Sequence, residues 1–255
     1  MKQRLEIPFK VPGALVCLYA FLVLVTLGSC SPVVDEAVKP ELTIASWHKD
    51  VTEAIHVSFV PGQTALAAEG TLEEGATAGY IVSAHQGDYL IAHVLSPGAD
   101  LEVSVHRLDD GSKLSDTDQN PSYWADIVPE TLGYLVKVRA VESGPFALEV
   151  EIPRRIILDA DSNGAEITTL APTHTPVTYV LEAEAGQLLT ASVSALEDGD
   201  AQFAIHGLQD GHQLVQWEAS AASFEGEVPK TQDYLIRVLA VGAPTELVLK
   251  VNLGS

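Results

Sequence analysis

From about residue 53 onward, apolar residues recur at every second position in short runs. Leu101, Val103 and Val105 alternate with Glu102, Ser104 and His106; Leu148, Val150 and Ile152 alternate with Glu149 and Glu151. Leu247, Leu249, Val251 and Leu253 repeat the pattern, with Lys250 and Asn252 between the last three. A strand points successive side chains to opposite faces, so this spacing predicts antiparallel sheets with one buried and one polar face. Asp110-Gly111 and Asp210-Gly211 lie between such runs and predict hairpin turns. After the first thirty residues no long helical periodicity appears. Many short strands at regular spacing predict a sandwich or barrel.

The runs occur twice. YIVSAHQGDYLIAHV from Tyr80 aligns with YVLEAEAGQLLTASV from Tyr179, and DLEVSVHRLDDGSKL from Asp100 with DAQFAIHGLQDGHQL from Asp200. WADIVPETLGYLVKVRA from Trp124 aligns with FEGEVPKTQDYLIRVLA from Phe224, and FALEVEI from Phe146 with LVLKVNL from Leu247. His106 thus matches His206, Val128-Pro129 matches Val228-Pro229, and Tyr134 matches Tyr234. A period this long, roughly 100 residues, is the length of a domain rather than of a solenoid unit. The expected organisation is a leader over residues 1–29, a stalk over 30–52, and β-sandwich copies over 53–153 and 154–253. The link Glu151–Arg155 is short and predicts a fixed orientation between the copies.

The leader is read from a basic start (Lys2, Arg4, Lys10), an apolar run from Ala14 to Leu27, and the sequence Leu27-Gly28-Ser29-Cys30. The run has the length of a signal-peptide core and is short for a membrane span of roughly 20 residues. The stretch resembles the lipobox of bacterial lipoproteins. That resemblance implies cleavage before Cys30, a diacylglycerol on its sulfur and an acyl group, such as palmitate, on the new N-terminus. Several chains together make a stable anchor. The expected location is a bacterial membrane, outside the cytoplasm. An uncleaved span over Val11–Ser29 is the alternative.

Charge narrows the partners. The chain has 255 residues, with 14 Lys and Arg against 35 Asp and Glu, a net charge of −21. Such a surface repels phosphate backbones, which disfavours nucleic acid, and repels anionic lipid head groups. The two cysteines, Cys17 and Cys30, both precede the repeats. Neither a disulfide framework nor a cysteine zinc site can hold the folded part together.

Several features resemble the bacterial pre-peptidase C-terminal (PPC) domain family. They are Phe59-Val60-Pro61-Gly62, the sequence of Gly75, Tyr80, Ala84 and Gly87, the Asp-Gly hairpin, and a Pro five residues ahead of a Tyr (Pro129 with Tyr134, Pro229 with Tyr234). Copy two departs at its start, where Ile156-Ile157-Leu158 and Asp159–Gly164 replace the first motif. The resemblance implies an all-β fold of two tandem, jelly-roll-like antiparallel sandwiches. It also implies modules that bind or assist rather than catalyse, some with calcium.

Candidate chemistry is sparse. No Gly-x-Ser-x-Gly elbow, His-Glu-x-x-His pattern or phosphate loop is present, so no catalytic residue is assigned. Asp159, Asp161 and Asn163 sit at alternate positions like the opening of an EF-hand loop, which would make calcium the one metal to consider. The twelfth position is Leu170 rather than Glu, and an Asp/Asn-rich turn is the simpler account. His106 and His206 point away from the core positions, onto a solvent face or a bulge. Trp217 lies at odd spacing from Leu214, on the other face, where an indole could stack on a sugar or a partner side chain. The expected function is a non-catalytic envelope lipoprotein presenting two modules for adhesion or for binding polysaccharide or an envelope protein. The alternatives are a structural spacer or accessory subunit of an envelope complex, and an enzyme of unrecognised type.

Overall fold

In a computed structural model the described residues are 48–254, apart from 52, 53, 61, 97–99, 115–120, 160, 174, 197 and 198. The leader, Cys30 and most of the stalk lie outside them. The described residues belong to one compact unit.

The described part is strands, as the alternation predicts. In the first copy these are β1 (Ala54–Val57), β2 (Ala65–Leu72), β3 (Thr77–Ala84), β4 (Tyr89–Leu95), β5 (Leu101–Arg107), β6 (Tyr123–Ile127), β7 (Leu132–Ala140) and β8 (Gly144–Glu151). In the second they are β9 (Arg154–Arg155), β10 (Gly164–Ala171), β11 (Val177–Ala183), β12 (Leu188–Ala195), β13 (Asp200–Gly207), β14 (Gln213–Val215), β15 (Ser223–Glu227), β16 (Gln232–Val241) and β17 (Thr245–Gly254). They make four sheets, ordered β1-β3-β7-β5, β2-β8-β4-β6, β14-β13-β16-β11-β9 and β10-β17-β12-β15. Pairing is antiparallel except for β1 on β3 and β9 on β11. The second copy thus opens with the same parallel pairing as the first, although its Phe-x-x-Gly motif is gone.

Each copy is a sandwich around its own core. The first core is built on Leu90, Val103, Tyr134, Val136 and Leu148, the second on Leu189, Phe203, Tyr234, Ile236 and Leu249. The Pro–Tyr spacing has a local cause. The Tyr134 hydroxyl reaches back to donate to the Glu130 carbonyl at 2.6 Å, and Tyr234 donates to the Lys230 carbonyl at 2.9 Å. Each ring plugs its core while its polar tip closes the preceding turn. Tyr234→Phe should cost about 1 kcal/mol, a fall in Tm of roughly 2–4 °C by calorimetry.

The alternation rule fails at the centre of the stack, for a reason that matters. Strands β3, β7 and β11 are buried over long runs on both faces. Ile91 on the outward face of β4 packs against Val180 and Leu235 on the outward face of the next sheet. The two sandwiches therefore pack sheet against sheet, four layers deep. Thr178 donates its N–H and hydroxyl to the buried Thr64 Oγ1 at 2.6 and 2.9 Å across this junction. The Tyr89 hydroxyl donates to Asp233 at 2.6 Å, and Arg155 pairs with Asp233 at 2.9 Å. Arg237 pairs with Glu151, which is 1% exposed, and lies 3.7 Å from Glu149.

The corresponding outer face of the first sandwich is also covered, by the segment leading into β1. Val51 packs on Ile81, Leu108 and Leu135, Asp50 pairs with Lys137 at 2.6 Å, and the His48 ring meets His106 edge-on at 5.4 Å. By the repeat, Ile81, Leu108, Leu135, Lys137 and His106 match Val180, Leu208, Leu235, Arg237 and His206. One docking face thus occurs twice, covered once by chain and once by the neighbouring sandwich.

Candidate functional site

At the rim of the sandwich junction the two sheets part, and a cleft opens. His93 from β4 and Tyr123 from β6 face His206 from β13, Gln213 from β14, Trp217 and Arg237 across a cavity of about 240 Å³. A second cavity of about 860 Å³ shares His93, Tyr123, His206 and Gln213, and continues along Trp124, Asp126, Gln209 and Asp210. The shared lining makes one continuous cleft, and its walls come from both copies.

Local backbone places these groups. His206 alternates with the core residues Phe203 and Ile205 and lies opposite Leu235 on the junction face, and the β13–β14 register shifts beside it. Gly211, at φ +64°, closes the hairpin beside it, and Asp210 Oδ1 accepts the His212 N–H at 2.9 Å and the Gln232 side-chain amide at 3.0 Å. Those bonds and Lys230 hold the Asp210 carboxyl well below the usual carboxylate range. Trp217 is not on a strand. It opens a 3₁₀ turn, Trp217–Ala219, closed by the Ser220 N–H donating to the Trp217 carbonyl at 2.9 Å. Ser220 sits in the left-handed region, φ 47° and ψ 38°, a strained place for a side-chain-bearing residue. Strain of this kind clusters at functional sites. The turn leaves the indole half-buried against the cleft.

Three titratable groups here, His206, His93 and Tyr123, are neutral at pH 7, and the Arg237, Asp126 and Asp210 side chains line the same cleft. Burial, then Arg237 and His93, pushes His206 down to about 4. Burial also lowers His93, against the pull of Glu149. Burial raises the Tyr123 phenol to about 12. The rings of His93 and Tyr123 meet edge-on at 5.6 Å. The cleft thus offers aromatic faces (Tyr123, Trp217) beside neutral imidazoles and side-chain amides, with the Arg237 guanidinium and the Asp126 and Asp210 carboxyls in the same lining. The residues lining it include no Ser, Thr or Cys.

Other sequence candidates fall elsewhere. His106 is half-buried beneath His48 rather than on a solvent face, and burial pushes it to about 4. Asp159, Asp161 and Asn163 form the turn between β9 and β10. Asp159 Oδ1 accepts the Asp161 N–H at 2.9 Å, its carbonyl accepts the Asn163 N–H at 2.8 Å, and Asn163 is left-handed at φ 49°. Among the described residues no three His, Cys, Asp or Glu side chains cluster as metal ligands, and no helix is long and apolar enough to cross a membrane. Cys30 lies outside them.

No family model matches the chain, and no curated protein matches it. It is similar to solved β structures. PliG of Aeromonas hydrophila, a periplasmic inhibitor of g-type lysozyme, aligns with 19% identity and a TM-score of 0.35, over 40% of this chain and 96% of its own. Tandem family 51 carbohydrate-binding modules of a family 98 glycoside hydrolase from Streptococcus pneumoniae align with 10% identity and a TM-score of 0.25, over 72% and 83%. The exported protein XepA of PBSX aligns with 9% identity and a TM-score of 0.27, over 78% and 90%.

Proposed function

We propose that this chain is a non-catalytic binding protein of the bacterial envelope, anchored through lipid on Cys30, that holds a carbohydrate in the cleft between its two sandwiches. The observation that carries the reading is Trp217, held by a strained turn beside Tyr123 and His206. An aromatic face with imidazole, amide and charged side chains around it suits the apolar face and edge hydroxyls of a sugar ring. The lipobox over Leu27–Cys30 supports the anchor and an extracytoplasmic location. The four-sheet stack also favours a second reading, a spacer or accessory subunit in an envelope complex.

The test is cosedimentation of residues 31–255 with isolated envelopes and insoluble polysaccharides, with calcium and with chelator. Binding that falls about tenfold, ~1.4 kcal/mol, in Trp217→Ala supports the cleft. Loss on chelation would bring Asp159, Asp161 and Asn163 in as a calcium turn. No binding under any condition favours the spacer.

A further inference from the structure

The second sandwich carries a groove along one side. β9 is the edge of one sheet and β10 the edge of the other, and between them lies a groove of about 980 Å³. Ala65 of β2 pairs with Glu151, and Gly164 of β10 with Asn252. Glu151 and Asn252 are repeat equivalents, so Ala65 matches Gly164. Leu66 then matches Ala165, and Phe59 matches Leu158. In the first copy Phe59 and Leu66 pack on the core. The second copy has a smaller side chain at both places, Leu158 and Ala165, and both border the groove together with Ile167, which stands where the first copy has Ala68.

Two further features point to a ligand. Tyr179 borders the groove and is 2% exposed, yet its hydroxyl has no hydrogen-bond partner among the described residues. An unpaired buried hydroxyl costs on the order of 1–3 kcal/mol, which a bound acceptor would relieve. Ile157, on the groove wall, is 85% exposed. Beside it Arg154 is exposed and makes no ion pair among the described residues. Arg154 beside Ile157, Leu158 and Ala165, in a lining where Lys250 already pairs with Glu166 and Asp159 is the other carboxylate, suits an anionic head on an apolar tail.

We infer that this groove binds a single-chain alkyl carboxylate of the fatty-acid class. The tail lies between Leu158, Ala165 and Ile167, the Tyr179 hydroxyl donates to a carboxylate oxygen, and Arg154 faces the head group. The site is separate from the junction cleft and does not depend on it.

The test is calorimetric titration of residues 31–255 with laurate below its micelle concentration. We expect saturable one-to-one binding, about tenfold weaker in Arg154→Gln and in Tyr179→Phe, and unchanged in Trp217→Ala. Dodecyltrimethylammonium, with the same tail and the opposite charge, should not bind. The double variant Leu158→Phe/Ala165→Leu, which restores the first copy's residues, should stay folded and lose binding. Absence of saturable binding to the parent chain, equal binding of the cationic amphiphile, or full binding by the folded double variant would overturn the assignment.

Discussion

Arg237→Ala should be the most damaging single substitution at the sandwich junction, lowering unfolding free energy by about 3–5 kcal/mol. Its guanidinium is the cation paired with Glu151, a carboxylate that β8 places in the buried sheet-to-sheet contact. Desolvation already raises the Glu151 pKa, against the pull of Arg237. Removing the cation leaves that charge uncompensated in an apolar layer. Urea unfolding followed by tryptophan fluorescence gives the loss, and melting should fall by roughly 10 °C. The double variant Arg237→Met/Glu151→Leu should recover most of it, because two apolar groups that pack do not need each other's charge. Lys250→Ala, which breaks an exposed pair with Glu166 at 3.0 Å, should cost less than about 1 kcal/mol.

Acid should loosen the two docking faces through the equivalent histidines His106 and His206. Both are neutral in the fold, with pKa values near 4, and ordinary, near 6.5, in the unfolded chain. Above pH 6.5 neither state binds the proton, and the histidines contribute nothing to the pH dependence. As pH falls from 6.5 towards 4 the unfolded chain takes up protons that the fold refuses, so stability falls with pH. For His206 the loss reaches on the order of 3 kcal/mol at pH 4. His206 is faced by His93, Tyr123, Gln213 and Arg237, and Glu149 also lies near His93. Glu151 works in the opposite direction, since its raised pKa means that protonation relieves a cost. Unfolding free energy measured across pH 4–7 should therefore fall on the acid side, and His106→Gln/His206→Gln should flatten the slope. An equal slope in the double variant would place the acid sensitivity elsewhere.

The sandwiches were legible because their cores obey a period of two and their turns carry Gly at positive φ. The docking faces were not legible as such. Leu135 and Leu235 sit where a period-two reading assigns a polar face, and only the covering by Val51 or Ile91 explains an apolar residue there. A signal did exist in the differences between the copies. The outward positions Ile91, His93 and Tyr123 of the first become Thr190, Ser192 and Ser223 in the second, by the same alignment. The first set is sticky because it meets the second sandwich. The second set is polar because its sheet ends the described stack. His93, Tyr123 and Arg237 were missed as cleft residues for the same reason: they meet only when the sheets stack. Trp217 was singled out from strand spacing, but its position comes from a 3₁₀ turn that no alternation rule encodes.

The most direct measurement is a backbone and indole NMR titration of isotopically labelled residues 31–255 with soluble oligosaccharides cut from whichever polysaccharide cosediments. The account predicts shifts clustered on Tyr123, His206, Gln213 and the Trp217 indole, from both sandwiches at once. Shifts confined to the outer sheet of one sandwich, with the junction unmoved, would contradict it.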